Sequence, residues 1–345
     1  MHMADALLSP AAGGVMYAAS AAAIVYSVKK IKKDELGDSK IPLMAVTGAM
    51  VFAAQMINFT IPGTGSSGHI TGGILLAALL GPFAGLLAMS AVLVIQCLIF
   101  ADGGLLALGA NIFNMGVIAC LFVYPLITRR LFSKAPSQKR IWIGSIVSVV
   151  IALQLGAFAV VLQTTASGIV ELPFSAFALL MQPIHLAIGV VEGIVTAAIL
   201  SFVFAARPRM LEAYTDPVLS ESAGGQSAKP KSAKKVIIVF AIIAAVTAAG
   251  ISLLASAYPD GLEWSIEGVS GAEELEASGP IFTVFADIQE RMSFMPDYDT
   301  PAGTGSGTSA AGLLGAAMVF ALAFVVMIII RAVRKPRKDA VKQDT

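Results

Sequence analysis

The sequence predicts an all-α fold, a polytopic bundle of membrane helices followed by an appended membrane module of two helices. Of the 345 residues, 57% are hydrophobic and 13% are charged, whereas soluble domains carry about 25% charged residues. Apolar runs of about eighteen residues or more recur along the chain, and each is long enough to span a bilayer as a helix. Clusters of Lys and Arg between these runs set the expected direction of each crossing.

The first two spans are expected to start and finish outside the cell. The span at 11–28 ends in a lysine cluster that comprises Lys29, Lys30, Lys32 and Lys33. Basic loops remain in the cytoplasm, so the N-terminus is predicted to lie outside. A second span at 41–59 returns the chain to the outside. The glycine-rich loop that follows should therefore lie on the same side of the membrane as residue 2.

Five more helices are expected in this first domain, which gives about seven spans in all. Segment 72–101 carries Gly81-Pro82 at its middle, so it is predicted to form two short helices folded as a hairpin. Spans at 105–127 and 141–162 follow. Pro183 is well placed as the first residue of the last helix. The basic clusters all fall at the inner ends of these spans.

A change in composition marks the end of the first domain at residue 206. Residues 207–235 are dominated by Ser, Ala, Gly, Pro and Lys, which is typical of a flexible linker, here expected in the cytoplasm. The sequence thus divides into a main domain (1–206), this linker and an accessory module (236–345).

The accessory module is predicted to hold two spans, at 236–255 and 310–330. The segment between them, 258–309, contains ten acidic residues and one basic residue, Arg291, and is expected to form an acidic loop outside the membrane. Such a loop would concentrate cations near it. The alternative is that exported loops simply lack Lys and Arg.

The first two residues offer an unusual set of metal donors. No basic n-region or cleavage site is present and Asp5 interrupts the apolar run, so Met1 is expected to remain with a free amine. The Met1 amine, the main-chain nitrogen of His2 and the imidazole of His2 can chelate one cation, and His69 could supply a fourth nitrogen. Four coplanar nitrogens suit Ni(II) or Cu(II). The alternative is an ordinary polar role for both histidines.

Amide side chains near the outer ends of the helices form a second candidate group. Gln55 and Asn58 are three residues apart, as are Asn111 and Asn114, so each pair is expected to share one helix face. These amides would either support a metal site from behind its ligands or form hydrogen bonds between helices. Asp102, in the segment ADGG, is interpreted as a turn residue.

The helix after Pro183 carries two further candidates, His185 and Glu192. Both are predicted on one helix face, as a possible ligand and as part of a metal path. His185 could equally be a packing residue. Glu192 requires a partner or a proton, because an unpaired carboxylate near the middle of a bilayer is costly.

Small residues in the first span, Ala18 and Ala22, are four apart and would let another helix approach closely. That helix could belong to this chain or to a partner subunit. Cys97 and Cys120 lie within apolar segments and are interpreted as packing residues rather than a disulfide or a metal pair.

Several enzyme motifs are absent from the sequence. There is no HExxH, no GxSxG and no Cys/His cluster, so an intramembrane enzyme is not expected. The glycine-rich loop GTGSSGH lacks the Lys-Ser/Thr ending of a phosphate-binding loop, and no GKS or GKT occurs anywhere in the chain. If ATP drives a process here, its hydrolysis belongs to another subunit.

Specific motifs resemble a known family. MHMADALLSP is similar to the MHIxDGxLSP start of the substrate-capture components of cobalt and nickel energy-coupling-factor (ECF) transporters, the CbiM/NikM family. FAAQMINFTIPGTGSSGHITGG, LLGPFAGLLAM, FADGGLLALGANIFNM and HLAIGVVEGIVT resemble the same family, and the likeness covers residues 1 to about 205. YPDGLEWS and MPDY resemble the small accessory component, CbiN/NikN-like with a PDGLE-type domain, here fused.

The resemblance implies the substrate-binding component of an ATP-driven Ni²⁺ or Co²⁺ importer in the plasma membrane. The implied ligands are the Met1 amine, the His2 main-chain nitrogen and imidazole, and the His69 imidazole. The metal is the transported substrate, and no permanent cofactor is expected. The implied partners are a membrane coupling (T) subunit and cytoplasmic ABC-type ATPase subunits, with no nucleic acid. Met3 and Ala6 replace the family's usual Ile and Gly without removing a donor atom.

Two other functions are compatible with the sequence. One is a membrane receptor or sensor that binds the metal without transporting it. The other is a proton-coupled permease centred on Glu192.

Overall fold

The computed structural model describes residues 1–31, 40–134, 136–214, 233–272, 275–299 and 307–333. This part of the chain is almost entirely helical, which confirms the predicted fold class. In chain order the helices and strands are α1 (Pro10–Lys30), α2 (Lys40–Gln55), β1 (Phe59–Ile61), β2 (Ser66–Gly68), α3 (Gly73–Leu80), α4 (Pro82–Phe100), α5 (Leu108–Ser133), α6 (Gln138–Ser167), α7 (Phe174–Ala206), α8 (Ala233–Ala249), α9 (Gly261–Ser270), α10 (Pro280–Met292) and α11 (Thr308–Val333).

Six of the described helices, α1, α4, α5, α6, α7 and α11, are long and apolar enough to cross a membrane. α2 and α8 are apolar but shorter. The hairpin predicted at 72–101 does form, with Gly81 at its turn in the left-handed backbone region that favours glycine (φ 88°). Its two helices are unequal, however. α3 has 8 residues, whereas α4 has 19 and is a full span.

α6 and α7 pack closely as an antiparallel pair, because glycine leaves room for the facing backbone. A Cβ at Gly189 would lie 3.2 Å from the Val150 Cα, and one at Gly193 would lie 2.8 Å from the Ile146 Cα. These glycines are four residues apart on α7, the spacing that allows membrane helices to approach closely.

The expectation that Pro183 begins the last helix of the main domain is wrong. α7 already begins at Phe174, and Pro183 lies inside it. Pro183 has no N–H to donate to the Leu179 carbonyl one turn earlier. The Gln154 side chain of α6 donates a hydrogen bond to the carbonyl of Gln182, the residue before the proline (2.9 Å).

The second predicted span also ends earlier than expected. α2 stops at Gln55, and Phe59 begins strand β1. Asn58 therefore lies beyond the helix and does not share a helix face with Gln55. β1 and β2 form an antiparallel hairpin that places His69 directly after β2.

The first residues of the linker expected at 207–235 form two short 3₁₀ turns, Pro208–Met210 and Glu212–Tyr214. Glu212 accepts a hydrogen bond from Tyr124 (2.6 Å) and pairs with Arg129 (3.2 Å), so this end packs against α5. At its other end, 233–235 belongs to α8, and 215–232 lies outside the described residues.

Small residues of α11 allow close packing both within the accessory module and against the main domain. A Cβ at Gly312 would lie 2.6 Å from the Ala248 carbonyl of α8 in the same module, and one at Gly315 would overlap the Phe52 ring of α2 in the main domain. The acidic segment expected as a loop contains α9 and α10, so the described part of the module has four helices, two of them outside the predicted spans.

Basic residues mark one end of the bundle, which we call the basic end. It carries the residues that close or open the spans on that side, namely Lys29, Lys30, Arg129, Arg130, Arg140, Arg207 and Arg331. Lys32, Lys33 and the basic stretch after Val333 lie outside the described residues. Met1 lies at the opposite end, which we call the site end.

Candidate metal site

The first eight residues form a segment at the site end in which five residues are buried and Ala4 is exposed. Met3, Leu7 and Leu8 are almost fully buried. The Asn111 side chain forms two hydrogen bonds with the Met3 backbone. Its oxygen accepts from the Met3 N–H (2.8 Å), and its side-chain NH₂ group donates to the Met3 carbonyl (3.2 Å). The predicted polar position Asn111 thus fixes the backbone of the N-terminal segment.

Two glycines let this segment approach the loop between α4 and α5. Gly103 has a φ of 79°, and a Cβ there would lie 2.8 Å from the Asn111 amide. A Cβ on Gly104 would overlap the backbone and carboxylate of Asp5. The Gly104 N–H also donates to the Met3 carbonyl (2.9 Å), so ADGG is a docking surface for the N-terminus.

The Met1 amine lies buried beside His69. The amine nitrogen is 3.1 Å from the His69 Nε2, and Met1 is 4% exposed. Metal–nitrogen bonds are about 2 Å long, so neighbouring nitrogens on one cation lie about 3 Å apart. The two nitrogens are thus spaced as two neighbouring ligands of one cation would be.

His2 completes this group from the other side. Its ring stacks on the His69 ring, with centroids 5.1 Å apart. The His2 Nδ1 lies 3.1 Å from the Asp102 carboxylate, and its Nε2 lies 3.2 Å from the Gln96 side-chain oxygen. Burial lowers the pKa of His2 to about 4 despite the attraction of Asp102, which raises it. A neutral imidazole is the form that binds metal.

Glu192 holds the loop that presents His69. Its carboxylate accepts hydrogen bonds from the Thr71 N–H (2.9 Å), the Thr71 hydroxyl (2.8 Å) and the Gly72 N–H (2.9 Å). The loop after His69 therefore supplies the hydrogen-bond partners that the Glu192 carboxylate requires in this helix.

Asp260, at the start of α9 in the accessory module, reaches the same group. Its Oδ2 lies 2.5 Å from the Met1 amine and 3.7 Å from the His69 Nε2. Burial raises the pKa of this carboxyl, but the amine and His69 outweigh burial and hold the pKa well below its usual range. The residue is therefore ionised at neutral pH, and it compensates the buried positive charge of the amine.

The remaining predicted residues lie around this group. Gln55 donates to the Thr71 carbonyl (2.7 Å), while its side-chain oxygen has no hydrogen-bond partner among the described residues. Asn114 exchanges hydrogen bonds with Gln163 (2.9 and 2.8 Å). His185 is buried with its Nδ1 2.8 Å from the Met181 carbonyl, and together with Met1 and His69 it lines a small void.

A larger cavity of about 750 Å³ opens beside His2 and His69. It lies between the main domain and the acidic segment of the accessory module, and Gln55 and Asn58 also line it. None of the described residues that line it is Lys or Arg, and its carboxylates are Asp5, Asp102, Asp260, Glu263 and Asp297. The negative charge favours cations in this cavity.

The structure thus brings Met1, His2 and His69 together, and it places the amides and Glu192 behind them. Sequence reasoning missed two carboxylates, since Asp102 was interpreted as a turn residue and Asp260 had no assigned role. The quoted segment YPDGLEWS contained Asp260, but nothing in it indicated contact with residue 1. In the described part of the chain, no three His, Cys, Asp or Glu side chains cluster as a metal site.

Two family models match most of the chain. A family model described as a cobalt uptake substrate-specific transmembrane region, CbiM, matches residues 2–210, and a PDGLE domain model matches residues 234–332. A provisionally named fused nickel transport protein NikMN of Archaeoglobus fulgidus is 34% identical over 94% of this chain and 97% of its own length.

Other relatives cover smaller parts of the chain. The fused nickel transport protein NikMN of Rhodobacter capsulatus is 32% identical over 64% of this chain and 67% of its own length. The cobalt transport protein CbiM of Sorangium cellulosum is 31% identical over 50% and 76%. A crystal structure of a transition metal transporter is 30% identical, covers 66% of this chain and all of its own, and has a TM-score of 0.49.

Gly104→Ala tests the docking of the N-terminal segment. The added methyl group would overlap Asp5, so we expect the free energy of unfolding to fall by about 1–3 kcal/mol. We also expect the buried Met1 amine to become more reactive toward an amine-specific label, as measured by mass spectrometry.

The matched control is Gly14→Ala, because a Cβ at Gly14 on exposed α1 meets no atom within 4 Å. This variant should keep the wild-type reactivity of the amine. Equal labelling of the Met1 amine in both variants would show that ADGG does not hold the segment.

Proposed function

Since the chain belongs to the CbiM family of cobalt uptake substrate-specific transmembrane regions and also carries a PDGLE domain, we propose that it is the metal-capture component of an ATP-driven Ni²⁺ or Co²⁺ importer. Residues 1–206 form the metal-capture domain in this proposal. The ion is the transported substrate, and ATP hydrolysis belongs to separate partner subunits.

The convergence of Met1 and His69 carries this proposal. The amine and the His69 Nε2 come from positions 68 residues apart, and both are buried 3.1 Å from each other beside the His2 ring. The proposed ligands are the Met1 amine, the main-chain nitrogen and imidazole of His2, and the His69 imidazole. Because the His2 Nδ1 now contacts Asp102, metal binding through this nitrogen would replace that contact.

The charge distribution supports an extracytoplasmic site. Arg129, Arg130 and Arg207 lie at the basic end, opposite Met1, and basic loops remain in the cytoplasm. The N-terminus is then outside the plasma membrane, and the acidic cavity is the proposed entrance for the hydrated cation.

Partner subunits are proposed because the chain has no nucleotide-binding motif of its own. The expected partners are a membrane coupling (T) subunit and cytoplasmic ABC-type ATPases. Ala18 and Ala22 support this arrangement, because both lie on an exposed face of α1, where small residues let another membrane helix approach.

The donor set favours nickel over cobalt. Four nitrogens in a plane stabilise low-spin Ni(II) more than Co(II), and Cu(II) should bind more tightly than either by the usual metal order. Selectivity in the cell would then depend on metal availability or on the shape of the cavity.

Two residues added before Met1 test the proposed ligand set. The extension turns the Met1 amine into an amide and moves the new amine away from the chelate position, whereas a single added residue would place the new amine and two main-chain nitrogens in a new chelate with the His2 imidazole. We expect the affinity of the purified protein for Ni²⁺, measured by competition titration, to fall by at least about tenfold. Two residues added at the C-terminus are the control, and unchanged affinity after the N-terminal extension would refute the chelate.

Uptake of radioactive Ni²⁺ separates transport from sensing. We expect cells that express this chain with coupling and ATPase subunits to accumulate the metal, and accumulation to fall when the ATPase cannot hydrolyse ATP. A receptor or sensor would bind Ni²⁺ in both cases without any accumulation that depends on ATP.

Glu192→Gln separates this proposal from a proton-coupled permease. The variant loses hydrogen bonds to the loop of His69, so the free energy of unfolding should fall by about 1–3 kcal/mol. Because His69 is then less well placed, metal binding and uptake should decline together. A permease centred on Glu192 predicts lost uptake with full metal capture, which only parallel binding and uptake measurements can reveal.

A further inference from the structure

The two carboxylate oxygens of Asp260 contact two different parts of the molecule. Its Oδ1 accepts the N–H groups of Leu262 (2.7 Å) and Glu263 (3.0 Å), so it caps the N-terminus of α9. Its Oδ2 accepts a hydrogen bond from the Met1 amine (2.5 Å). The cap orients the carboxylate, and the second oxygen is thereby aimed at the amine.

The amine needs such a partner because it ends the chain. The backbone contacts with Asn111 and Gly104 begin at Met3. In the described part of the chain, the amine itself forms hydrogen bonds only with His69 and Asp260. Without Asp260, His69 would be the only hydrogen-bond partner of the amine among the described residues.

The segment that carries Asp260 is itself fixed to the strand before His69. The Ser67 N–H donates to the Pro259 carbonyl (2.8 Å), and the Ser67 hydroxyl donates to the Tyr258 carbonyl (2.8 Å). On the other side, a Cβ at Gly261 would lie 2.9 Å from Ile188 of α7. These contacts therefore hold Asp260 of the accessory module next to both the Met1 amine and the loop that carries His69.

Asp260 can keep this position when a metal binds, because an amine bound to a metal still carries N–H groups that can donate to the carboxylate.

We propose that Asp260 is a positioning residue of the metal site, supplied by the accessory module, which holds the Met1 amine beside His69 and balances the charge of the bound cation. This inference rests on the proposed function. It means that the metal site is incomplete without the accessory module, even though the proposed ligands all belong to the main domain.

Asp260→Asn in the full-length chain tests the inference. Asparagine can still cap α9 through its side-chain oxygen, but it removes the negative charge that faces the Met1 amine. We expect the affinity for Ni²⁺ to fall by about 10–100-fold, the usual effect of losing a group that orients a metal ligand. Glu267→Gln is the matched control, because it removes one negative charge from an exposed position of the same helix and should leave the affinity unchanged.

A second variant separates positioning from the packing of α9. Leu262→Ala truncates a buried side chain of α9 without altering the carboxylate. Hydrogen exchange of residues 261–270 should rise in Leu262→Ala and stay at the wild-type level in Asp260→Asn. If Leu262→Ala weakens Ni²⁺ binding as much as Asp260→Asn does, the effect comes from packing and the inference is wrong.

The other outcomes are equally decisive. Unchanged affinity in Asp260→Asn overturns the inference, and increased affinity overturns it too, because the carboxylate would then compete with the metal for the amine. Failure of the proposed function is distinguishable, since the wild-type protein would then bind no Ni²⁺ or would be insensitive to the two-residue N-terminal extension.

Discussion

The ion pair between the buried Met1 ammonium group and Asp260 is the interaction on which the site end of this protein depends. Placing an ammonium group in a region of low dielectric is costly unless a negative group faces it. Asp260 meets this requirement at 2.5 Å, and His69 lies on the other side of the amine at 3.1 Å. The contact therefore joins the first residue of the main domain to the accessory module.

The α4–α5 loop and the start of α5 explain why the N-terminus can be buried. Gly103 and Gly104 give the backbone of residues 1–8 a place to lie, and Asn111 satisfies the Met3 backbone that is buried there. The Glu192 carboxylate accepts hydrogen bonds from the loop that carries His69. Polar groups inside the bundle thus serve mainly to position backbone segments, and those segments in turn position the nitrogen donors.

The fold class could be predicted from the sequence, because apolar length and basic clusters are local properties. The roles of Met1, His2 and His69 could be proposed because donor chemistry, the predicted topology and the family resemblance all indicated these residues. Pro183 was misplaced because a proline inside a membrane helix and one at its start look alike in sequence. Asn58 was assigned to a helix that ends at Gln55. Asp260 could not be foreseen, since its contact with Met1 joins residues 259 positions apart and depends on how two domains dock.

X-ray absorption spectroscopy of the Ni²⁺-loaded protein tests the central claim most directly, because it reports the atoms bound to the metal. The account predicts a first shell of four nitrogens, with outer-shell scattering from two imidazole rings. A six-coordinate shell made mainly of oxygen, or a shell that contains sulfur, would contradict it.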